Sequence, residues 1–208
     1  MRPKKLKTMK TLKILIVIIG MVSLSYVGLA QDSSFKFLHA GYSRISSSSV
    51  DTDYDALDGF FVGFSKYNRL SSGNFFWGYD FELGYNVQKS TVQVEAFGNT
   101  YKVDNNASAL SAKLSVDMSY KFDASEKVSI LPYAGATFRP FITGESDTNG
   151  VVFSWFKNRN GKRFQAGAEA GVKVFVKRIV LGAEYQYYFT KLNKDNLTTL
   201  SLSAGWLF

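Results

Sequence analysis

Residues 75–88 alternate without a break. Phe75, Trp77, Tyr79, Phe81, Leu83, Tyr85 and Val87 are apolar or aromatic, whereas Phe76, Gly78, Asp80, Glu82, Gly84, Asn86 and Gln88 between them are mostly polar or glycine. Successive side chains of an extended strand point to opposite faces, so the segment predicts a β-strand with one apolar and one polar face. The same pattern recurs at 110–122, 164–176, 179–189 and 200–208. Weaker runs at 35–45, 59–68 and 128–138 bring the set to eight strands, and in these three the sequence leaves the assignment of faces open. After residue 30 no segment has helical periodicity.

The connections alternate in length. Segments 46–58, 89–107 and 139–162 are long, 69–74 and 123–127 are short, 177–178 is a two-residue hairpin and 191–197 is intermediate. Short turns at one end and long loops at the other are the asymmetry of transmembrane β-barrels, whose short turns face the periplasm. The expected fold is therefore all-β, an eight-stranded antiparallel up-and-down transmembrane β-barrel.

Period two alone does not say which face looks outward. A soluble lipocalin-like barrel would put the apolar face inside, and a membrane barrel would put it outside. An inward apolar face would crowd Trp77, Tyr79, Phe81, Tyr85, Tyr185, Tyr187, Trp206 and Phe208 into an interior only just wide enough for ordinary side chains. The polar face instead carries Asp80, Glu82, Asp117, Glu169 and Glu184 against Lys113, Lys121, Arg163 and Lys173, a nearly balanced set that suits a narrow lumen filled by ion pairs. Aromatic residues gather near both strand ends, with Phe75, Trp77, Tyr120, Phe122, Trp206 and Phe208 on one side and Tyr85, Phe164, Tyr187 and Phe189 on the other, as in interfacial girdles. They contribute to an aromatic content of 16%.

The formal net charge of +8 looks at first like a polyanion binder, but its placement says otherwise. Arg2, Lys4, Lys5, Lys7, Lys10 and Lys13 precede an uncharged run from Ile14 to Ala30 that ends in Gly28-Leu29-Ala30. A basic stretch, an apolar stretch and a small-x-small site predict a cleaved secretory signal peptide over 1–30, with Met9 as an alternative start. The alternative of a transmembrane anchor fits a short run interrupted by Ser and Gly less well. The barrel domain is then 31–208, where 19 basic residues face 17 acidic ones, and no nucleic-acid partner is expected. The chain has no cysteine, which excludes disulfides, thiolate metal sites and a lipid anchor on an N-terminal cysteine.

The last residues, Leu200-Ser201-Leu202-Ser203-Ala204-Gly205-Trp206-Leu207-Phe208, together with Pro132-Tyr133-Ala134-Gly135-Ala136 and the leader ending Ala30-Gln31, resemble the OmpA/OmpX-like "porin family" of outer-membrane barrels of Gram-negative bacteria, of a Bacteroidetes type. The resemblance spans the mature chain and carries no peptidoglycan-binding domain after the last strand. It implies a bacterial outer-membrane location, contact with outer-membrane lipid and lipopolysaccharide, and handling by the barrel-insertion machinery through Leu200, Leu202, Trp206 and Phe208. These motifs specify architecture and address, not activity.

Candidate chemistry is sparse. His39 is the only histidine, and Ser43, four residues along the same strand face, lies roughly 13 Å away at ~3.3 Å per residue, too far to form a base and nucleophile pair. Asp51, Asp53 and Asp55 match the first ligand spacings of a calcium loop, but Ala56 replaces the turn glycine and Val62 the bidentate glutamate, which leaves only a weak cation contact with Asp58. Lys157, Arg159, Lys162 and Arg163 cluster near the third long segment, where lipopolysaccharide phosphates are one reading and a solvated loop the other. No catalytic residue, metal or cofactor is expected. The expected role is structural or surface-interacting, through three long extracellular loops that meet an extracellular ligand or protein. A narrow channel and an outer-membrane lipid-modifying enzyme are the alternatives.

Overall fold

The computed structural model describes residues 34–47, 56–70, 73–96, 99–156, 163–192 and 196–208. The signal peptide expected at 1–30, the loop aspartates Asp51, Asp53 and Asp55, and Lys157, Arg159 and Lys162 lie outside the described residues.

The described residues form ten strands: β1 (Ser34–Ser47), β2 (Leu57–Arg69), β3 (Phe75–Ala96), β4 (Asn99–Tyr120), β5 (Phe122–Ser125), β6 (Val128–Thr148), β7 (Val151–Ser154), β8 (Phe164–Val176), β9 (Ile179–Tyr188) and β10 (Leu197–Leu207). Eight of them make the wall. Its order is β4-β3-β2-β1-β10-β9-β8-β6, every pair is antiparallel, and a β4–β6 pairing closes the ring. β5 and β7 are four-residue strands paired to β6. Closure leaves the wall no free edge and satisfies its backbone hydrogen bonds strand to strand.

The alternation in the sequence becomes the two surfaces of this wall. Leu38, Phe60, Val62, Leu114, Val116, Met118, Leu181, Leu200 and Leu202 are exposed on the outside, while Ser65, Asp80, Glu82, Lys113, Glu169 and Glu184 are buried on the inside. The strands whose faces the sequence left open now have them: Phe37, His39, Ser43 and Ile45 of β1, Phe61, Ser65 and Tyr67 of β2, and Leu131, Tyr133, Thr137 and Arg139 of β6 are buried inside. The ambiguity has a physical cause, since the inward faces of these strands carry aromatic and aliphatic residues that close the lumen.

Two such closures exist. Phe37, Tyr67, Phe76, Leu131, Phe175 and Val180 pack together at the short-turn end, with Phe35 and Leu207 against them. Ile45, Ala109, Phe141, Tyr188 and Leu197 pack at the other end, with Leu57, Trp155, Phe156 and Leu192. The polar residues lie between the two apolar clusters.

The 89–107 and 139–162 segments, expected as loops, are largely strand. β3 and β4 pair continuously from Phe75↔Tyr120 to Ala96↔Asn99, well beyond the last β2 partner at Val87. β6 continues beside β4 up to Asn105↔Thr148 and turns back at Asn149-Gly150 into β7. Asn149 and Gly150 have φ of 51° and 84°, the positive pair that a two-residue type I′ hairpin demands. A four-stranded sheet thus rises from one side of the barrel, tied by Asn149 N–H to Asp104 O at 3.1 Å and by Asp104 N–H to Asn149 Oδ1 at 3.0 Å. The register of β6 against β4 slips between Leu110 and Ser111, where Phe141 and Thr143 bracket an extra residue, Ile142. That bulge reverses the inward parity of β6 and hides its upper half from a period-two reading.

Candidate functional site in the barrel lumen

Charged side chains enter the lumen from β3, β4, β6, β8 and β9, all at the level between the two apolar clusters. Lys113 of β4 is the hub. Its Nζ lies 2.6 Å from Glu184 Oε1, 3.1 Å from Glu82 Oε1, 3.4 Å from Glu169 Oε2 and 3.9 Å from Asp80 Oδ2. Its side chain is fully buried, and in such surroundings an ammonium group persists only with this density of carboxylates around it.

Lys173 of β8 forms a second centre nearer the short-turn end. It donates to Tyr67 Oη at 2.7 Å and to Asp80 Oδ2 at 3.4 Å, and its Nζ sits 4.5–5.2 Å from the ring centroids of Tyr133, Tyr67 and Phe37. Tyr67 in turn donates to Asp117 Oδ2 at 3.1 Å. Tyr133 donates to Glu184 Oε2 at 2.5 Å.

Arg139 of β6 forms the third, nearer the long-loop end. Its Nε donates to Tyr188 Oη at 2.8 Å, one terminal nitrogen to Ser111 Oγ at 3.1 Å and the other to Gln186 Oε1 at 2.9 Å. Tyr188 donates to Gln186 Oε1, and Gln186 donates to Glu184 Oε1, which links this centre to Lys113.

The lumenal ion-pair set expected from the sequence is therefore brought together in most of its members and corrected in two. Asp80, Glu82, Lys113, Asp117, Glu169, Lys173 and Glu184 are buried inside. Lys121 is not among them: β4 ends at Tyr120, and Lys121 instead pairs with Asp123 at 2.9 Å beside a short turn, with its side chain 31% exposed. Arg163 precedes β8, is exposed, and lies over the Phe156 ring at 5.1 Å. The cation the sequence reading missed is Arg139, which stands just past the recognised strand 128–138 at the start of what was expected to be a loop. The inward alternation Leu131, Tyr133, Gly135, Thr137 extended by one more step would have reached it.

His39 meets neither Ser43 nor a catalytic arrangement. Its Nε2 lies 3.1 Å from both Ser65 Oγ and Asp80 Oδ1, and Ser65 donates to the same Asp80 oxygen at 3.1 Å. A nucleophile–base–orienter relay needs the serine on one ring nitrogen and the carboxylate on the other. Here both contact Nε2, Nδ1 has no hydrogen-bond partner, and all three side chains are buried between the apolar clusters. Ser43 is engaged separately by Asn86 Nδ2 at 2.9 Å. His39, Asp80 and Glu82 offer ligand atoms within 4.8 Å of one another, but Lys113 at 3.1 Å from Glu82 and Lys173 at 3.4 Å from Asp80 set two ammonium groups against any divalent cation there.

The remaining expected residues lie on the outside. Asp58 accepts from the Tyr42 hydroxyl and lies 3.9 Å from Arg44 Nε on the neighbouring strand. Leu200, Leu202, Trp206 and Phe208 are more than half exposed on the outward side at β10, the strand that pairs with β1.

An apolar exterior around a polar, ion-paired interior is the inverse of a soluble barrel, and the sequence matches the outer membrane protein beta-barrel domain over residues 18–208. The chain belongs to that family. It is an integral β-barrel of the bacterial outer membrane, and its exposed apolar belt contacts lipid. No curated protein sequence matches it. Solved structures similar to this outer-membrane barrel include Ail, the attachment invasion locus protein of Yersinia pestis, at 17% identity and a TM-score of 0.44 over 86% of this chain and 100% of that one. Neisserial surface protein A is 22% identical with a TM-score of 0.44 over 84% and 95% of the two chains. The outer membrane enzyme PagL is 13% identical with a TM-score of 0.46 over 81% and 98%.

Proposed function

We propose that this barrel is a non-conducting outer-membrane scaffold that displays a recognition surface outside the cell. The observation that carries the reading is the pairing of a blocked lumen with a wall that continues on one side as a four-stranded sheet. The apolar clusters and the Lys113 network fill the lumen at three successive levels, so the barrel has little use as a conduit.

The sheet has the features of a contact surface. Register places Tyr101 opposite Val94 and Val103 opposite Val92, while Asn105, Thr148 and Val151 lie in one row across β4, β6 and β7. Tyr101, Val151 and Phe153 are about half exposed. The upper parts of β3 and β4 carry Lys89, Glu95, Lys102 and Asp104, with Thr91 donating to Asp104 Oδ1 at 2.9 Å. An extracellular ligand or protein would meet this mixed surface on a rigid support. Basic residues on and near it, with Arg163, are available to lipopolysaccharide phosphates. Leu200, Leu202, Trp206 and Phe208 serve in assembly as the face read by the insertion machinery, after export directed by residues 1–30, and face lipid thereafter.

The chain lacks cysteine, so introduced thiols report cleanly on display. Ser154→Cys is expected to react with a membrane-impermeant maleimide on intact cells, whereas Lys177→Cys, in the turn at the other end, is expected to react only after the outer membrane is permeabilised. The reverse pattern would overturn the reading. A narrow channel would be favoured instead by stable single-channel steps in planar bilayers. A lipid-modifying enzyme would be favoured by an acyl-lipid product that disappears with His39→Ala.

A further inference from the structure

One edge of the sheet that rises from the barrel is open. β2 follows β3 only as far as Val87, opposite Asp58, so residues 88–96 have β4 on one side and, among the described residues, no strand on the other. At ~3.3 Å per residue this stretch extends about 30 Å beyond β2.

The base of β3 shows which backbone groups line that edge. Asn74 O accepts from Lys121 N–H at 2.9 Å on the β4 side, and Phe75 O accepts from Leu70 N–H at 2.9 Å on the β2 side. Antiparallel strands alternate in this way, each residue turning both its N–H and its C=O to one neighbour. Neither pairing of β3 slips, so its odd-numbered residues face the β2 side throughout. At the open edge these are Lys89, Thr91, Gln93 and Glu95, all with exposed side chains. Their unpaired N–H and C=O groups are a template for a further strand.

The template fits a second copy of itself. With a twofold axis at residue 92, two antiparallel β3 edges place Lys89 opposite Glu95 and Thr91 opposite Gln93, each twice. All four pairs join odd residues, so each exchanges both backbone hydrogen bonds. Opposite charges directly opposite stabilise such a pairing, and like charges destabilise it. Moving the axis to residue 91 or 93 keeps the backbone bonds and loses both ion pairs.

We propose that residues 88–96 join two copies of this chain across facing outer membranes, by edge-to-edge antiparallel pairing of β3 with a Lys89–Glu95 ion pair at each end. The inference rests on the display of this sheet outside the cell. Facing membranes follow from strand direction. Copies in one membrane point the same way, and a twofold contact there would run the two β3 edges parallel, with Lys89 beside Lys89 and Glu95 beside Glu95. The antiparallel contact uses the same patch on both partners and closes on two copies, and many such contacts between two surfaces add by avidity.

The test uses phospholipid vesicles carrying the folded full barrel, labelled in two lipid-dye colours, mixed, and scored for clustering by fluorescence microscopy. The unmodified barrel is expected to cluster vesicles into mixed-colour aggregates. Lys89→Glu, which opposes like charges at both ends, is expected to abolish clustering. Lys89→Glu/Glu95→Lys keeps the net charge and restores both ion pairs with itself, but it opposes like charges against the unmodified chain. It is expected to cluster with itself as well as the unmodified barrel does. Mixed with the unmodified barrel in the other colour, it is expected to sort into single-colour clusters, two-colour contacts falling about tenfold or more. Heat-modifiable gel mobility checks that each variant is folded, and maleimide labelling of Ser154→Cys checks that the sheet is displayed. No clustering by a folded, displayed unmodified barrel overturns the proposal, as do two-colour contacts as frequent with the exchanged variant as without it. Failure of the maleimide to reach Ser154→Cys on intact cells would instead overturn the display reading, and this inference with it.

Discussion

Lys113 and Glu184 meet across the lumen, Nζ to Oε1 at 2.6 Å, from strands that are not neighbours in the wall. The pair ties together two strands that are separated in the wall, and both side chains are buried. Removing one partner of a buried ion pair leaves an uncompensated charge, which costs about 3–5 kcal/mol. Lys113→Met is therefore expected to lower the unfolding free energy by about that much in urea titrations of the refolded barrel. Lys113→Met/Glu184→Gln should recover part of the loss, because it removes one of the stranded carboxylates. Equal stability of Lys113→Met and the unmodified barrel would contradict the hub.

Room for the large lumenal side chains comes from glycines directly opposite them on neighbouring strands, Gly171 opposite Tyr133 and Gly78 opposite Tyr67. A Cβ built on Gly171 would touch the Tyr133 hydroxyl, and one built on Gly78 would enter the Tyr67 ring. Overpacking a filled interior costs about 1–3 kcal/mol, so Gly171→Val should destabilise by that order. Because the displaced Tyr133 hydroxyl also serves Glu184, Tyr133→Phe/Gly171→Val should be less than additive in the same titration.

Leu202 lies near the middle of β10 and is 54% exposed on the outer face. An arginine near the bilayer midplane costs about 2–4 kcal/mol, which is the expected effect of Leu202→Arg on refolding into vesicles. Ser203 has the opposite parity and faces the lumen, where Gly182 leaves space beside its hydroxyl. Ser203→Ala should change stability by less than about 0.5 kcal/mol. If Leu202→Arg proves as harmless as Ser203→Ala, the faces are assigned the wrong way round.

At the short-turn end the Ser129 hydroxyl, with Lys121 beside it, holds the Asp123 carboxyl below the usual aspartate range. A depressed folded-state value means that the group stabilises the fold above the unfolded aspartate pKa and loses that contribution as pH falls through the folded value. The site is exposed, so the contribution is only about 0–1 kcal/mol. Carboxyl NMR titration should show Ser129→Ala moving Asp123 upward, and an unchanged titration would remove the hydroxyl as the cause.

Much of this fold was legible because lipid and lumen impose opposite demands on alternate residues, and residues 75–88 obey both. Legibility failed where those demands change. Beyond Val87 the apolar positions of β3 move from odd to even numbers, with Val92, Val94 and Ala96 succeeding Leu83, Tyr85 and Val87, although the pairing with β4 never slips. This phase reversal in the sequence follows the point where β2 stops pairing with β3, and it looked like the end of a strand. In β6 the bulge at Ile142 produced the same impression by moving the backbone itself. The Asn149-Gly150 dipeptide inside that segment carries a hairpin signal that the reading of 139–162 as a loop passed over.

The lumenal network was legible as a list and not as a set of contacts. Parity alone picks out Asp80, Glu82, Lys113 and Glu184, but the shear of a closed barrel decides that Lys113 reaches Glu184 on β9 as well as Glu82 on β3. The same holds for His39, whose partners Ser65 and Asp80 come from other strands.

The proposed scaffold requires a lumen closed by its own side chains. Single-channel recording in planar bilayers tests it most directly, with the folded state of the inserted protein verified by heat-modifiable mobility. The unmodified barrel is expected to give a flat baseline under either polarity of applied voltage. Stable, reproducible conductance steps from that same unmodified protein would contradict it.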